Sequence, residues 1–225
     1  MHMWQTIRTA SADRHTHARP YVAVVVLGGY EEAGDLGRFR VRTGDVIFHE
    51  SFEAHLNRFD PGDTVVLNLN LDEDCNTIQG LAHIADVDAF VRIAEKDQRD
   101  ALSFLMTSAT LSKTNALDWE DELCRAMLQD ASMLISVWAE QNGLSPSTVS
   151  RGFRKVFGVT PESYRARARA RHAWRLIRSS KDSLINIALQ VGFADQAHMS
   201  RGIKQLTGMT PTDCRPEMHT RQLTS

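Results

Sequence analysis

One pattern occurs twice, its leading glycine one residue further back in the second copy, and it constrains this chain more than any other feature. Gly143-Leu-Ser-Pro-Ser-Thr-Val-Ser-Arg-Gly-Phe-Arg-Lys is followed by Gly158-Val-Thr-Pro161. Gly192-Phe-Ala-Asp-Gln-Ala-His-Met-Ser-Arg-Gly-Ile-Lys is followed by Gly208-Met-Thr-Pro211. Ser150-Arg151-Gly152 thus recurs as Ser200-Arg201-Gly202, fifty residues on. Two copies make a tandem motif, not a solenoid.

Each copy has the grammar of a helix-turn-helix. In the first, Leu134, Val137 and Trp138 predict the apolar stripe of a leading helix, and Gly143 supplies a permissive turn. Ser145 suits an N-cap and Pro146 the first helical position. The next helix is expected to bury Val149, Phe153, Val156 and Phe157 at helical spacing. Its other face carries Ser147, Ser150, Arg151 and Arg154. In the second copy Ser183 caps a short helix with Leu184, Ile187, Ala188 and Val191 inward. Asp195 caps the next, which buries Met199, Ile203 and Leu206 and presents Ala197, Ser200, Arg201 and Lys204. A ridge of short side chains with an arginine suits a major groove, where arginine pairs bidentately with guanine. Gln196 and His198, near the helix start, also reach towards base edges. The competing reading is an ordinary solvated face of a helical bundle.

The charge distribution bears on that choice. Residues 1–130 carry 12 Lys+Arg against 22 Asp+Glu, and residues 131–225 carry 14 against 6, giving −10 and +8. Such a split predicts two domains with different partners, the basic one facing a polyanion. The segment from Thr160 to Ser180 predicts a long helix capped by Thr160 and started by Pro161. Tyr164, Ala168, Ala173, Leu176 and Ile177 are expected to line its buried side. Arg165, Arg167, Arg169, Arg171, Arg175 and Arg178 make it strongly basic. About 19 residues of helix reach roughly 28 Å, near the ~34 Å between successive major-groove faces.

The first hundred residues read as strands. Tyr21–Leu27 is a buried-strand signal, and Gly37–Thr43, Val46–Phe48 and Asp63–Leu69 follow with turns between them. Short strands of this kind predict an antiparallel sandwich or small barrel. From about Asp86 the period becomes helical, through Phe90, Ile93, Ala94, Leu102, Leu105 and Met106. Trp119 to Gln129 is a further amphipathic helix with Leu123, Met127 and Leu128 on one side. These helices either cap the barrel or form a dimer interface. No apolar run approaches the roughly 18–20 residues of a spanning helix, and Met1–Pro20 lacks the apolar stretch of a secretory signal. Cys75, Cys124 and Cys214 are odd in number and lack metal-type spacing. A reducing, cytoplasmic setting with no membrane partner is expected.

From about Leu134 to Arg215 the chain resembles the DNA-binding domain of the AraC/XylS transcription regulators. The resemblance rests on Gly143-Leu-Ser-Pro, Ser150-Arg-Gly-Phe-Arg-Lys-Val-Phe-Gly158, Thr160-Pro161, Tyr164, Ala173 and Ile187-Ala188. Gly192-Phe193, Asp195-Gln196, Ser200-Arg201, Lys204 and Gly208-Met-Thr-Pro211 complete it. It implies two all-α helix-turn-helix subdomains joined by a long linker helix, with double-stranded DNA and RNA polymerase as partners. Matched by position, the implied base-reading residues are Ser147, Ser150 and Arg151, then Gln196, Ala197, His198, Ser200 and Arg201, with Arg154 and Lys204 as backbone contacts. Ala170 departs from the pattern, where a leucine is usual.

The N-terminal part is similar to the cupin-like sensor of the same family. His15-Thr-His17 precedes the first strong strand, and Gly44-Asp-Val-Ile-Phe leads to His55-Leu-Asn57. The glutamate expected after the His-x-His is missing, Tyr21 and Val22 standing in its place, and Glu50 replaces the usual proline. His15, His17 and His55 are the candidate pocket residues, with His49 as the nearest further one. They line a site for an unknown small-molecule effector, bind a transition metal, or sit at the barrel rim without a ligand. No cofactor is expected.

The fold class expected is α+β in two domains. A cupin-like antiparallel barrel with following helices occupies 1–115, a helical linker 116–130, and the double helix-turn-helix 131–225. The leading function is an effector-responsive transcription regulator rather than an enzyme, with a possible homodimer through the N-terminal part. The alternatives are a cupin-type metal-dependent enzyme with a fused DNA-binding domain, and a regulator whose barrel only dimerises.

Overall fold

The structure, a computed structural model, describes residues 4–72, 80–112, 118–130 and 133–215. Cys75 and the expected boundary near 116 lie outside the described residues, and the one at 131 lies at their edge. The chain divides into two compact units, Met1–Pro161 and Glu162–Ser225.

In the first unit the described strands form two antiparallel sheets. The larger has the order β1 (Trp4–Ile7), β8 (Thr64–Asn70), β3 (Tyr21–Leu27), β6 (Asp45–His49), β9 (Gly80–His83), β10 (Thr110–Leu111). The smaller has the order β2 (Ser11–Thr16), β7 (Ala54–Phe59), β4 (Gly29–Gly34), β5 (Gly37–Arg42). The cupin-like barrel is therefore an open one, two sheets packed face to face. β3 is buried on both sides, which explains its unbroken run of valines. Val22 and Val24 pack with Phe90 and Ala94 of α1 (Val87–Ala94) and Ala101 and Leu105 of α2 (Gln98–Ser108). Tyr21, Ala23 and Val25 pack instead with Tyr30, Phe39 and Val41 of the smaller sheet. So α1 and α2 cap the outer face of the larger sheet.

Helix α3 (Trp119–Gln129) contacts β5 and α5 (Pro146–Phe157). Arg38 of β5 anchors it, donating from Nε and Nη2 to the two Asp121 oxygens at 3.0 and 2.5 Å, and from Nη2 to Asp118 at 2.7 Å. α5 buries Val149, Phe153 and Phe157 as expected, and leaves Val156 half-buried. Two expectations fail here. Leu128 of α3 points outward. In α4 (Ile135–Gln141) the expected stripe is not a core, since Leu134 is 64% and Val137 43% exposed, and Ala139 is the buried residue. The helix is barely two turns long, so a stripe read over Leu134, Val137 and Trp138 overstates the face it can bury.

The second unit consists of α6 (Pro161–Ser179), α7 (Leu184–Gln190) and α8 (Gln196–Thr207). α6 has the expected 19 residues. Tyr164, Ala173 and Ile177 are buried, but so are Ala170, Trp174 and Arg171. Arg171 is only 3% exposed, because it lies seven residues, nearly two turns, from Tyr164 on the same face. It does not belong to the solvated basic face. Ala170 lies against α8, since a Cβ at Gly202 would come 3.5 Å from its own Cβ. Two small residues set the approach of the helices there. α7 buries Ile187 and Ala188, and α8 buries Met199, Ile203 and Leu206.

Candidate functional site

The two copies of the repeat fold alike, the second having one more residue between its turn glycine and its helix cap. Ser145 accepts from the Thr148 N–H at 3.1 Å and Asp195 from the His198 N–H at 2.6 Å, each capping the helix that follows. Gly143 and Gly192 take φ of 65° and 80°, a left-handed turn that a Cβ would oppose. Val149 and Met199 are buried, as are Phe153 and Ile203. Arg151 and Arg201 are exposed, as are Arg154 and Lys204, and Ser150 and Ser200 are half-buried. Ser147 on α5 and Gln196, Ala197 and His198 on α8 are also exposed. Each helix thus presents a basic ridge between short side chains.

Two members of the candidate set are partly committed. The Ser200 hydroxyl donates to the carbonyl of Gln196 at 2.8 Å, inside its own helix. The His198 ring lies edge-on to Phe193, with centroids 5.0 Å apart. Gly152 lies on α5 where any side chain would strike the Trp119 indole.

A second cluster lies between the sheets of the first unit. His15, His17 and His55 converge as expected, with His15 opposite His55 across the β2–β7 pair and their rings 4.4 Å apart. The cavity they border measures about 120 Å³ and also takes in Tyr21, Glu32, His49, Asn57 and Asn68. His49 lies between two buried carboxylates, its Nε2 3.7 Å from Glu32 Oε2 and its Nδ1 3.5 Å from Glu53 Oε1. His49 was singled out in the sequence only by its nearness to the motif. Glu32 and Glu53 were not singled out at all. Glu32 sits in a Gly-Tyr-Glu-Glu-Ala-Gly stretch without clean alternation, so only the pairing of β4 between β5 and β7 shows that it is buried.

Burial dominates the electrostatics of this cluster. It pushes the Glu32 carboxyl up to about 7, against the pull of His49 and helped by Glu53. Burial alone would lower His49, but Glu32 and Glu53 outweigh it and hold the ring above its ordinary value. His55 is held well below its ordinary value by burial and then by His49 and the other histidines. His17 falls to about 4 through burial and His15. A carboxylate, a cation-favouring ring and two proton-poor rings therefore face one small space.

Two further arginines tie strands to α5. Arg14 of β2 donates to the carbonyl of Phe157 at 3.0 Å and pairs with Asp35. Arg58 of β7 donates to the carbonyl of Lys155 at 2.5 Å and to Glu31 at 2.9 Å.

Residues 138–217 match the family model described as a helix-turn-helix domain. The arabinose operon regulatory protein of Escherichia coli strain K12 is 33% identical over 88 residues, which are 39% of this chain and 30% of that protein. The HTH-type transcriptional activator RhaS of Escherichia coli O139:H28 is 38% identical over 77 residues, 34% of this chain and 28% of that protein. The chain thus spans less than a third of the length of these curated relatives. The structure of unsaturated fatty acid bound ToxT from Vibrio cholerae strain SCE256 aligns with 93% of this chain and 92% of that one, at 12% identity and a TM-score of 0.42. Over residues 138–217, then, the chain carries a helix-turn-helix domain similar to those of the arabinose operon regulatory protein and RhaS.

Proposed function

We propose that the chain is a sequence-specific, DNA-binding transcription regulator that reads two adjacent major grooves of one duplex, one with α5 and one with α8. The observation that carries this reading is the duplicated ridge, in which Arg151 and Arg201 stand exposed at equivalent positions of two capped helices. In this reading Ser147, Ser150 and Arg151, with Gln196, Ala197, His198 and Arg201, face base edges, while Arg154 and Lys204 neutralise phosphates. Ser200 serves through its small size, because its hydroxyl is bonded within the helix. The working division is a sensor at 1–115, a helical linker at 116–130 and the DNA-binding part at 131–225. The cavity between the sheets takes a small effector, which changes DNA affinity or polymerase contact by favouring one arrangement of the protein over another. A cytoplasmic setting, RNA polymerase as partner and pairing of two copies through the N-terminal part belong to the same reading, and catalysis does not.

The deciding experiment is selection of binding sites from randomised DNA by the full-length protein. An enriched motif with two elements about one helical turn apart supports the reading. Binding without enrichment that only decays with salt overturns it.

A further inference from the structure

We propose that the cavity between the sheets binds one divalent first-row transition-metal ion through Glu32 Oε2, His49 Nε2 and a ring nitrogen of His55. The effector reading above gives this site its regulatory meaning, but the binding itself stands on the following geometry.

Size decides against a large organic ligand. A cavity of about 120 Å³ holds roughly four waters at ~30 Å³ each, well below the ~300 Å³ where pockets for drug-sized ligands begin. An ion with one or two waters fits. The donors are of the right type, because imidazole and carboxylate together suit zinc, iron, nickel and cobalt. Glu32, His49 and His55 are each about 98–99% buried, and each offers one ligand atom within 4.8 Å of the others. Glu32 Oε2 and His55 Nδ1 have no hydrogen-bond partner. A buried carboxylate oxygen left so is costly unless something fills the gap.

One edge of the site has the spacing of a ligand pair, and the His55 nitrogen lies within 4.8 Å of both its atoms. Bonds of about 2.1 Å in a tetrahedral site place neighbouring ligand atoms about 3.4 Å apart. His49 Nε2 and Glu32 Oε2 are 3.7 Å apart, too long for a hydrogen bond and a few tenths of an ångström from that edge. The other nitrogen of His49 faces Glu53 Oε1 at 3.5 Å, and Glu53 is itself held by the Glu50 N–H at 3.0 Å. A carboxylate behind a metal-binding imidazole orients the ring and raises its basicity. With two carboxylates close by, a dication is nearly neutralised inside the barrel. His15 and His17 form a separate group with His55, but both are half-exposed and His15 Nδ1 already bonds the carbonyl of Asp13 at 2.7 Å.

The test uses the full-length protein, stripped with a chelator and titrated with cobalt(II) chloride. The expected result is uptake of one equivalent with visible ligand-field bands of a low-symmetry site. Glu32→Gln and His49→Gln should weaken uptake by more than the roughly 10–100-fold that loss of an outer partner costs, and Glu53→Gln should fall within that range. A His15→Gln/His17→Gln double variant should keep the bands and most of the affinity. Circular dichroism and thermal melting check that each variant is folded. Should Glu32→Gln unfold, Glu32→Asp, which keeps the charge but shortens the reach, should shift the bands. Absence of stoichiometric uptake overturns the proposal and leaves His49 as an imidazolium between two carboxylates. Uptake that survives Glu32→Gln but disappears in the His15/His17 variant also overturns it, placing any metal at the outer histidines. Binding of a selected DNA site by both the stripped and the metal-loaded protein is measured in parallel. DNA binding without metal uptake sinks the metal site alone, and metal uptake without DNA binding sinks the regulator reading alone.

Discussion

Arg14 donates through Nη1 to the carbonyl oxygen of Phe157 at 3.0 Å, joining strand β2 to the last residue of α5. The final carbonyls of a helix lack intrahelical donors, and cations near them complement the helix dipole. Arg58 does the same for Lys155 from the neighbouring strand. The same two strands present His15, His55 and Asn57 to the cavity. The cavity wall and the end of one candidate recognition helix therefore share a pair of strands.

The two arginines should differ sharply when removed. Arg14 pairs with Asp35, whose side chain is 2% exposed, so Arg14→Ala leaves a buried carboxylate without its cation. We expect a loss of about 3 kcal/mol in urea unfolding, only partly recovered in the Arg14→Met/Asp35→Leu double variant, because Asp35 also accepts from the buried Ala54 N–H at 3.0 Å. Arg58 is 42% exposed on the side chain, and its ion pair with Glu31 is screened by solvent. Arg58→Ala should lose no more than about 1 kcal/mol. Equal losses for both would show that the buried pair contributes nothing special.

Arg151→Ala and Arg201→Ala should each reduce binding to a selected site by about 1–3 kcal/mol and relax preference at one base position. Ser200→Ala should leave both unchanged, because its hydroxyl is already bonded to Gln196. Titration against matched and mismatched duplexes at fixed salt measures this. Uniform weakening on every sequence would make the arginines phosphate contacts instead.

The caps give a stability test that involves no DNA. Ser145→Ala and Asp195→Ala each remove the side-chain acceptor of a helix N-terminus and should destabilise by about 1 kcal/mol. Asp195→Asn keeps the acceptor and should be close to neutral in the same melts.

What could be read from the sequence follows the range of the interactions involved. Caps, turn glycines and helical spacing are local, so α5, α6, α7 and α8 could be placed closely from Ser145, Pro161, Ser183 and Asp195. The cavity was only half visible. His15, His17 and His55 stood out through motif spacing, and Glu53 lies only four residues after His49, but Glu32 reaches His49 from a strand of the other sheet, which no short window contains. Leu134 and Arg171 fail in opposite directions for one reason. Residue type suggested a core leucine and a solvated arginine, but the 64% exposure of Leu134 and the burial of Arg171 follow from which face each short or long helix turns inward.

Gly152 and Gly202 occupy the same position of the repeat but meet different neighbours, and this yields the sharpest test of the packing. A Cβ at Gly202 would lie 3.4 Å from Phe193 and 3.5 Å from Ala170, close to ordinary contact. Gly202→Ala should therefore gain about 0.5–1 kcal/mol from helix propensity alone. At Gly152 the added atom would run into the rigid, half-buried Trp119 ring. Gly152→Ala should lose about 1–3 kcal/mol through overpacking, and Gly152→Ala/Trp119→Leu should recover part of it. Thermal melts of the full-length variants decide the matter. The same sign at both positions would mean that α3 does not press on α5 through Trp119.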